Sequence, residues 1–211
     1  MKRSLSLMLV LVAVSIVSVA AQTTNGWKLR VDRSTSASDP DASGAIKFTA
    51  ESGGFHAVNP QAAVYWNPAN AATGNYSLKG TFTLVEPSNH TNYYGIVFGG
   101  HDLEGPKQSY MYFTVAQDGT FLIKRRDGDV NTTNIAAKTA HAAIKKPDAA
   151  GTSTNVLEVR VAADKVDYVV NGTTVHSTPK SALPTGTDGT YGVRVNHFLN
   201  VKFDPISMTK Q

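Results

Sequence analysis

The acidic and imidazole side chains of this chain exclude more chemistry than they offer. Its only glutamates are Glu51, Glu86, Glu104 and Glu158, none with a second glutamate nearby. Alternate residues of a strand face the same way, so carboxylates two apart could flank one scissile bond. Asp127 and Asp129 have that spacing, but Gly128 and the preceding Arg125-Arg126 place them in a turn. The best mixed cluster is His101-Asp102-Leu103-Glu104-Gly105, an imidazole and two carboxylates following the Tyr93–Gly100 run. A loop at a strand end is a common seat of acid–base function. The plainer reading, which we prefer, is a solvated polar loop closed by Gly105-Pro106.

Metal chemistry has little sequence support. Asp39-Pro40-Asp41-Ala42-Ser43-Gly44 matches the first half of a calcium loop, with oxygen ligands at alternate positions and a turn glycine. The EF-hand reading fails because Ala50 stands where the bidentate glutamate belongs. A looser calcium site on Asp39, Asp41 and Ser43 is the weaker alternative to a polar loop. The six histidines show no metal-binding spacing such as H-E-x-x-H, and the absence of cysteine removes thiolate ligands and thiol nucleophiles. No G-x-S-x-G or P-loop is present, and no cofactor is expected.

Binding asks for less than catalysis. Sugar rings stack their apolar faces on aromatics, and the chain has eight Tyr and two Trp. In Tyr110–Val115, Met111, Phe113 and Val115 read as the core side, which leaves Tyr110 and Tyr112 on the other. Arg125 lies among apolar neighbours, and Arg194 alternates with Val193 and Val195 near His197. Tyr110, Tyr112, Arg125, Arg194 and His197 are therefore the candidate ligand-binding face, set against ordinary cross-strand pairing on a sheet's outer side. Trp66, beside Asn67-Pro68, reads as a buried indole before it reads as a stacking platform.

The elements that must position these residues are strands. Short β-rich runs recur at 46–50, 62–66, 77–85, 93–98, 110–116, 121–126, 156–162, 165–170, 191–196 and 201–208, with a first strand near Trp27–Val31. Leu78, Phe82 and Leu84 alternate with Lys79, Thr81 and Thr83, the period of a half-buried strand. Asp118-Gly119 and Asn171-Gly172 supply the positive-φ pairs that tight hairpins need. The Ala-rich stretch 135–146 is expected to hold one or two helical turns, stopped by Pro147. Many short strands with almost no helix predict an all-β fold, an antiparallel sandwich or barrel.

Lys2 and Arg3, the apolar run Leu5–Val19 and the small residues Ala20-Ala21 before Gln22 read as a cleaved signal peptide over 1–21. Residues 22–211 then form one domain, exported to periplasm or medium, with no membrane attachment after cleavage. The formal charge of +4 includes Lys2 and Arg3, so the remainder is nearly neutral and no nucleic-acid partner is expected. Lys124-Arg125-Arg126 and Lys145-Lys146 are short basic runs on a solvated face.

One succession of motifs carries a resemblance. Asn75-Tyr76-Ser77-Leu78-Lys79-Gly80-Thr81-Phe82 is followed by Tyr94-Gly95-Ile96-Val97-Phe98-Gly99, Tyr110-Met111-Tyr112-Phe113 and Asp118-Gly119-Thr120-Phe121. Asn155-Val156-Leu157-Glu158-Val159, Val166–Gly172 and Gly189-Thr190-Tyr191-Gly192-Val193 complete it. This order resembles the concanavalin A-like lectin/glucanase superfamily with its laminin G-like members, and is similar to secreted bacterial 3-keto-disaccharide hydrolase domains. The resemblance implies a two-sheet jelly roll whose concave face carries any sugar site. It also implies that a glucanase would show E-x-D-x-x-E, which is absent here. The expectation is a non-catalytic module binding carbohydrate or a glycan surface. The alternatives are a keto-sugar hydrolase centred on His101, Asp102 and Glu104, and a structural or adhesive module.

Overall fold

The structure, a computed structural model, describes residue 24, residues 26–34 and residues 36–211. The signal peptide expected over 1–21 lies outside the described residues. Among the described residues no helix is long and apolar enough to cross a membrane.

Among the described residues, fifteen strands form two antiparallel sheets. The seven-stranded sheet contains β1 (Lys28–Asp32), β4 (Ala62–Ala72), β6 (Tyr93–His101), β7 (Ser109–Ala116), β8 (Thr120–Asp127), β9 (Asn131–Ala140) and β13 (Gly189–Val195). Its order is β1-β4-β13-β6-β7-β8-β9. The second sheet contains β2 (Lys47–Glu51), β3 (Gly54–Asn59), β5 (Tyr76–Glu86), β10 (Ser153–Val161), β11 (Lys165–Val170), β12 (Thr173–Pro179), β14 (Leu199–Phe203) and β15 (Ser207–Lys210). Its order is β12-β11-β10-β5-β14-β3-β2, with β15 also paired to β5.

Strand periodicity sets the layers. Leu78, Phe82 and Leu84 of β5 face Ile96, Phe98, Met111, Phe113, Val193 and Val195 of the other sheet in one buried core. One end of that core is aromatic: Trp27 lies 4.7 Å from Phe55 between ring centroids, and Phe48 and Phe203 pack close by. The alternate residues of the seven-stranded sheet, among them Val64, Trp66, Val97, Tyr110, Tyr112 and Leu122, form a second buried cluster on its outer face. β6 and β7 are therefore apolar on both faces.

Two expectations are corrected. The stretch foreseen as helical turns contributes strand β9 up to Ala140, followed by a short turn at 142–144. Intrinsic alanine propensity yields here to the ladder that β8 offers, with Ile123 opposite Ala136 and Arg126 opposite Thr132. The single run 201–208 is two strands, because Asp204-Pro205 interrupts it and proline has no N–H to give the ladder. Both pieces still pair with β5, at Phe82–Glu86 and at Tyr76–Lys79.

Candidate functional site

The outer face of the seven-stranded sheet is built by the alternation of β1. Leu29 packs against the core between the sheets, while Arg30 and Asp32, two residues apart, point to the opposite side. The sheet curls until that side of β1 meets β7 and β8 across its outer face. The Tyr110 hydroxyl donates to Asp32 Oδ2 at 3.0 Å, and Arg126 lies 3.3 Å from Asp32 Oδ1. Arg194 Nη1 donates to the same carboxylate and, at 2.7 Å, to the Tyr110 hydroxyl oxygen. Arg30 reaches the Gly105 carbonyl and Asp129, and Lys28 pairs with Glu104. The expected sugar-binding groove is thus filled by its own side chains, with Tyr110 fully buried and Arg194 7% exposed.

Charge is balanced within this filling. Burial pushes the Asp32 carboxyl upward, but the charges of Arg194 and Arg126 with hydrogen bonds from Arg194 and Tyr110 outweigh it and hold it below the usual range. Burial pushes the Tyr110 hydroxyl well up, so it stays a neutral donor. Burial works against the Arg194 charge, yet Tyr110 and Asp32 hold its proton more firmly than in water. The Arg194 guanidinium also sits 5.0 Å from the Tyr112 ring centroid.

Of the five residues expected to share this face, Tyr110, Tyr112 and Arg194 do. Arg125 does not. Its partner across the ladder is Met111, a core residue, whereas Arg126 stands opposite Tyr110. The run Lys124-Arg125-Arg126 leaves the phase of β8 open, and the pairing register decides it. Trp66 is buried as expected, but in this outer cluster and not between the sheets. Asp32 escapes sequence reasoning because a lone aspartate at a strand end has no local signature.

The His101-Asp102-Glu104 loop does not converge into a catalytic cluster. Asp102 adopts φ 49° and its Oδ2 accepts the Lys107 N–H at 3.2 Å, so the carboxylate holds its own turn. Glu104 pairs with Lys28 at the surface, and His101 is exposed at the end of β6.

His197 lies elsewhere, at the end of the sandwich, where the structure brings it to Asp39 and Asp41. Asp41 Oδ1 is 3.0 Å from His197 Nδ1, and Asp39 Oδ1 is 3.3 Å from His197 Nε2. Both carboxylates of the weaker calcium-loop alternative, Asp39 and Asp41, thus lie against this imidazole. Ser43 contributes to an adjoining cleft of about 490 Å³, with Lys47, Pro60, Glu86, Asn89, Phe198 and Asn200 among its walls. Phe198 adopts φ 56° at the turn between β13 and β14, an uncommon conformation for an aromatic residue, and its ring is half-buried. His90, whose ring centroid lies 5.3 Å from that of Phe198, and Phe198 itself also escape sequence reasoning, because only the fold brings residues 90 and 197 together.

No protein-family model and no curated protein matches the chain in sequence. Solved structures do match in shape. Carbohydrate-binding module CBM66 from Bacillus subtilis superposes with a TM-score of 0.62 at 9% identity, over 89% of this chain and 98% of that one. A Bacillus subtilis protein of unknown function with a galectin-like fold gives 0.58 at 14% identity, over 87% and 89%. The chain has the concanavalin A-like jelly-roll fold. At these identities the likeness is one of fold.

Proposed function

We propose that the protein is an exported, non-catalytic carbohydrate-binding module whose ligand occupies the end cleft beside Phe198. The observation that supports this most directly is the cleft itself. Its volume of about 490 Å³ falls within the usual range for small-ligand sites, and its walls combine an aromatic ring and two prolines with amide and charged groups. Phe198, Pro60 and Pro87 offer apolar surface to a sugar ring, while Asn89, Asn200, Lys47 and Glu86 offer partners for hydroxyls. The fold shared with a carbohydrate-binding module agrees with this reading. The outer face of the seven-stranded sheet, where Tyr110, Tyr112 and Arg194 are buried, serves the fold.

The test uses glycine at position 198. Phe198→Gly removes the ring yet suits the positive φ, so the turn is kept. The purified protein should bind members of a polysaccharide and glycan panel saturably without releasing reducing sugar, and Phe198→Gly should weaken that binding at least about tenfold. Full affinity in the folded variant, or steady product release by the parent, would overturn the reading.

A further inference from the structure

We propose that Asp39, His90 and His197 form a binding site for a divalent first-row transition-metal ion, with zinc as its simplest occupant. Three ligand atoms from three distant parts of the chain meet in a nearly equilateral triangle. Asp39 Oδ1 is 3.1 Å from His90 Nε2 and 3.3 Å from His197 Nε2, and the two Nε2 atoms are 3.3 Å apart. An ion with bonds of about 2.0–2.1 Å to nitrogen and oxygen separates its ligands by roughly 3.3 Å in a tetrahedron and about 2.9 Å in an octahedron. The triangle has the size of one face of such a polyhedron.

The outer hydrogen bonds give an independent reason. His90 Nδ1 lies 2.6 Å from Asn89 Oδ1, and His197 Nδ1 lies 3.0 Å from Asp41 Oδ1. Both oxygens are acceptors, so each neutral imidazole carries its proton on Nδ1 and turns the Nε2 lone pair inward. Two lone pairs and a carboxylate oxygen then face one another. The Asn92 amide nitrogen, 2.9 Å from His90 Nε2, is a donor at this point, but it gives His197 and Asp39 nothing. A cation at the centre removes the conflict. The Asp41–His197 pair is the carboxylate–histidine arrangement that orients imidazole ligands around metals.

The donor set selects the ion class. Imidazole nitrogens suit zinc and its first-row neighbours, whereas calcium takes oxygen ligands. Two histidines and one carboxylate leave coordination positions open, and the side chains of His90 and Asp39 are 38% and 52% exposed, which gives solvent access to them. Asn89 and Phe198, next in sequence to His90 and His197, line the cleft described above. This inference does not rest on the carbohydrate reading and stands or falls on metal binding alone.

The experiment is titration of the purified, metal-stripped protein with Co²⁺ and then Zn²⁺ at neutral pH. One equivalent of Co²⁺ should give visible d–d absorption, which one equivalent of Zn²⁺ should abolish. Long-range ¹H–¹⁵N spectra should show Nε2 shifts for two of the six histidines only, assigned to His90 and His197. His90→Ala and His197→Ala should each lower zinc affinity at least about 100-fold, and Asp41→Asn, which touches no metal, roughly 10- to 100-fold. His141→Ala should leave affinity unchanged. Absence of binding to the folded parent, shifts at other histidines, or saturation by Ca²⁺ but not Zn²⁺ would overturn the proposal. The parent titration is decisive even if a variant fails to fold.

Discussion

Arg194 on β13 donates through Nη1 to the carboxylate of Asp32 on β1, and the side chains of the pair are only 9% and 3% exposed. Arg126 approaches the other carboxylate oxygen and Tyr110 donates to the same one as Arg194, so a single aspartate ties together strands from both sides of the curled sheet. Removing one partner of a buried ion pair leaves the other charge uncompensated, a change that costs about 3–5 kcal/mol. Asp32→Asn should therefore destabilise the protein by about 3 kcal/mol or more, read as a lower urea midpoint at neutral pH.

The same pair predicts an acid-side loss of stability. The folded Asp32 carboxyl lies below its ordinary value because the arginine charges and hydrogen bonds overcome the opposing effect of burial. Its contribution is present in full above the unfolded carboxylate pKa of about 3.9. It disappears as pH falls through the lower folded value. Comparing urea midpoints between about pH 6 and pH 2 should show a shallower acid decline for Asp32→Asn than for the parent. Equal slopes would remove Asp32 as a source of the acid transition.

Tyr112 and Phe198 should separate stability from binding. The Tyr112 ring lies 5.8 Å from the Tyr110 ring and beneath the Arg194 guanidinium, in the buried outer cluster. Tyr112→Ala should cost about 3–5 kcal/mol, the range for emptying a large aromatic from a packed site. Its folded fraction should bind glycan with parental affinity, whereas Phe198→Gly should show the opposite pattern. A Tyr112→Ala protein that stays stable but loses sugar binding would return the site to the curled face.

Much of this architecture is legible in the chain because short-range signals and long-range packing agree there. Leu78, Phe82 and Leu84 alternate as a strand facing a core must, and the Asn171-Gly172 turn has the residues its geometry needs. What escapes is set by register or by contact between distant segments. Arg125 and Arg126 are adjacent and alike in composition, and only the pairing of β7 with β8 decides which joins Asp32. Ile135–Ala140 carries a helical composition overruled by its neighbour strand. The Asp39, His90 and His197 set has no local spacing at all.

Gly192 fixes how closely β13 and β4 approach. A β-carbon there would overlap the Tyr65 carbonyl oxygen and crowd the Trp66 Cβ at 3.1 Å, and the ladder between β13 and β4 shifts register beside this glycine. The obstacle is backbone in a central pair of strands and cannot rotate away. Gly192→Ala should destabilise the fold by roughly 1–3 kcal/mol, the usual scale of overpacking. A melting temperature equal to the parent's would show that β4 gives way freely at Tyr65.

Asn171 offers a test of side-chain bonding separated from turn conformation. It adopts φ 50° between β11 and β12, and its amide closes a gap between three segments. Its Oδ1 accepts the Val156 N–H at 2.9 Å, and its Nδ2 donates to the Ala143 carbonyl at 2.8 Å and to Asn155 Oδ1 at 2.9 Å. Asn155 is fully buried and holds the Lys145 backbone from the other side, its Oδ1 accepting that N–H. Asn171→Gly keeps the turn, since glycine adopts positive φ without strain, but strands these partners. Each lost bond that leaves a buried group unpaired costs about 1–3 kcal/mol, so the variant should lose at least about 2 kcal/mol. Hydrogen exchange should quicken at Lys145 and Val156 before it changes in the distant β1–β4 ladder. Uniform quickening across both regions would mean that Asn171 stabilises the whole fold and not this junction.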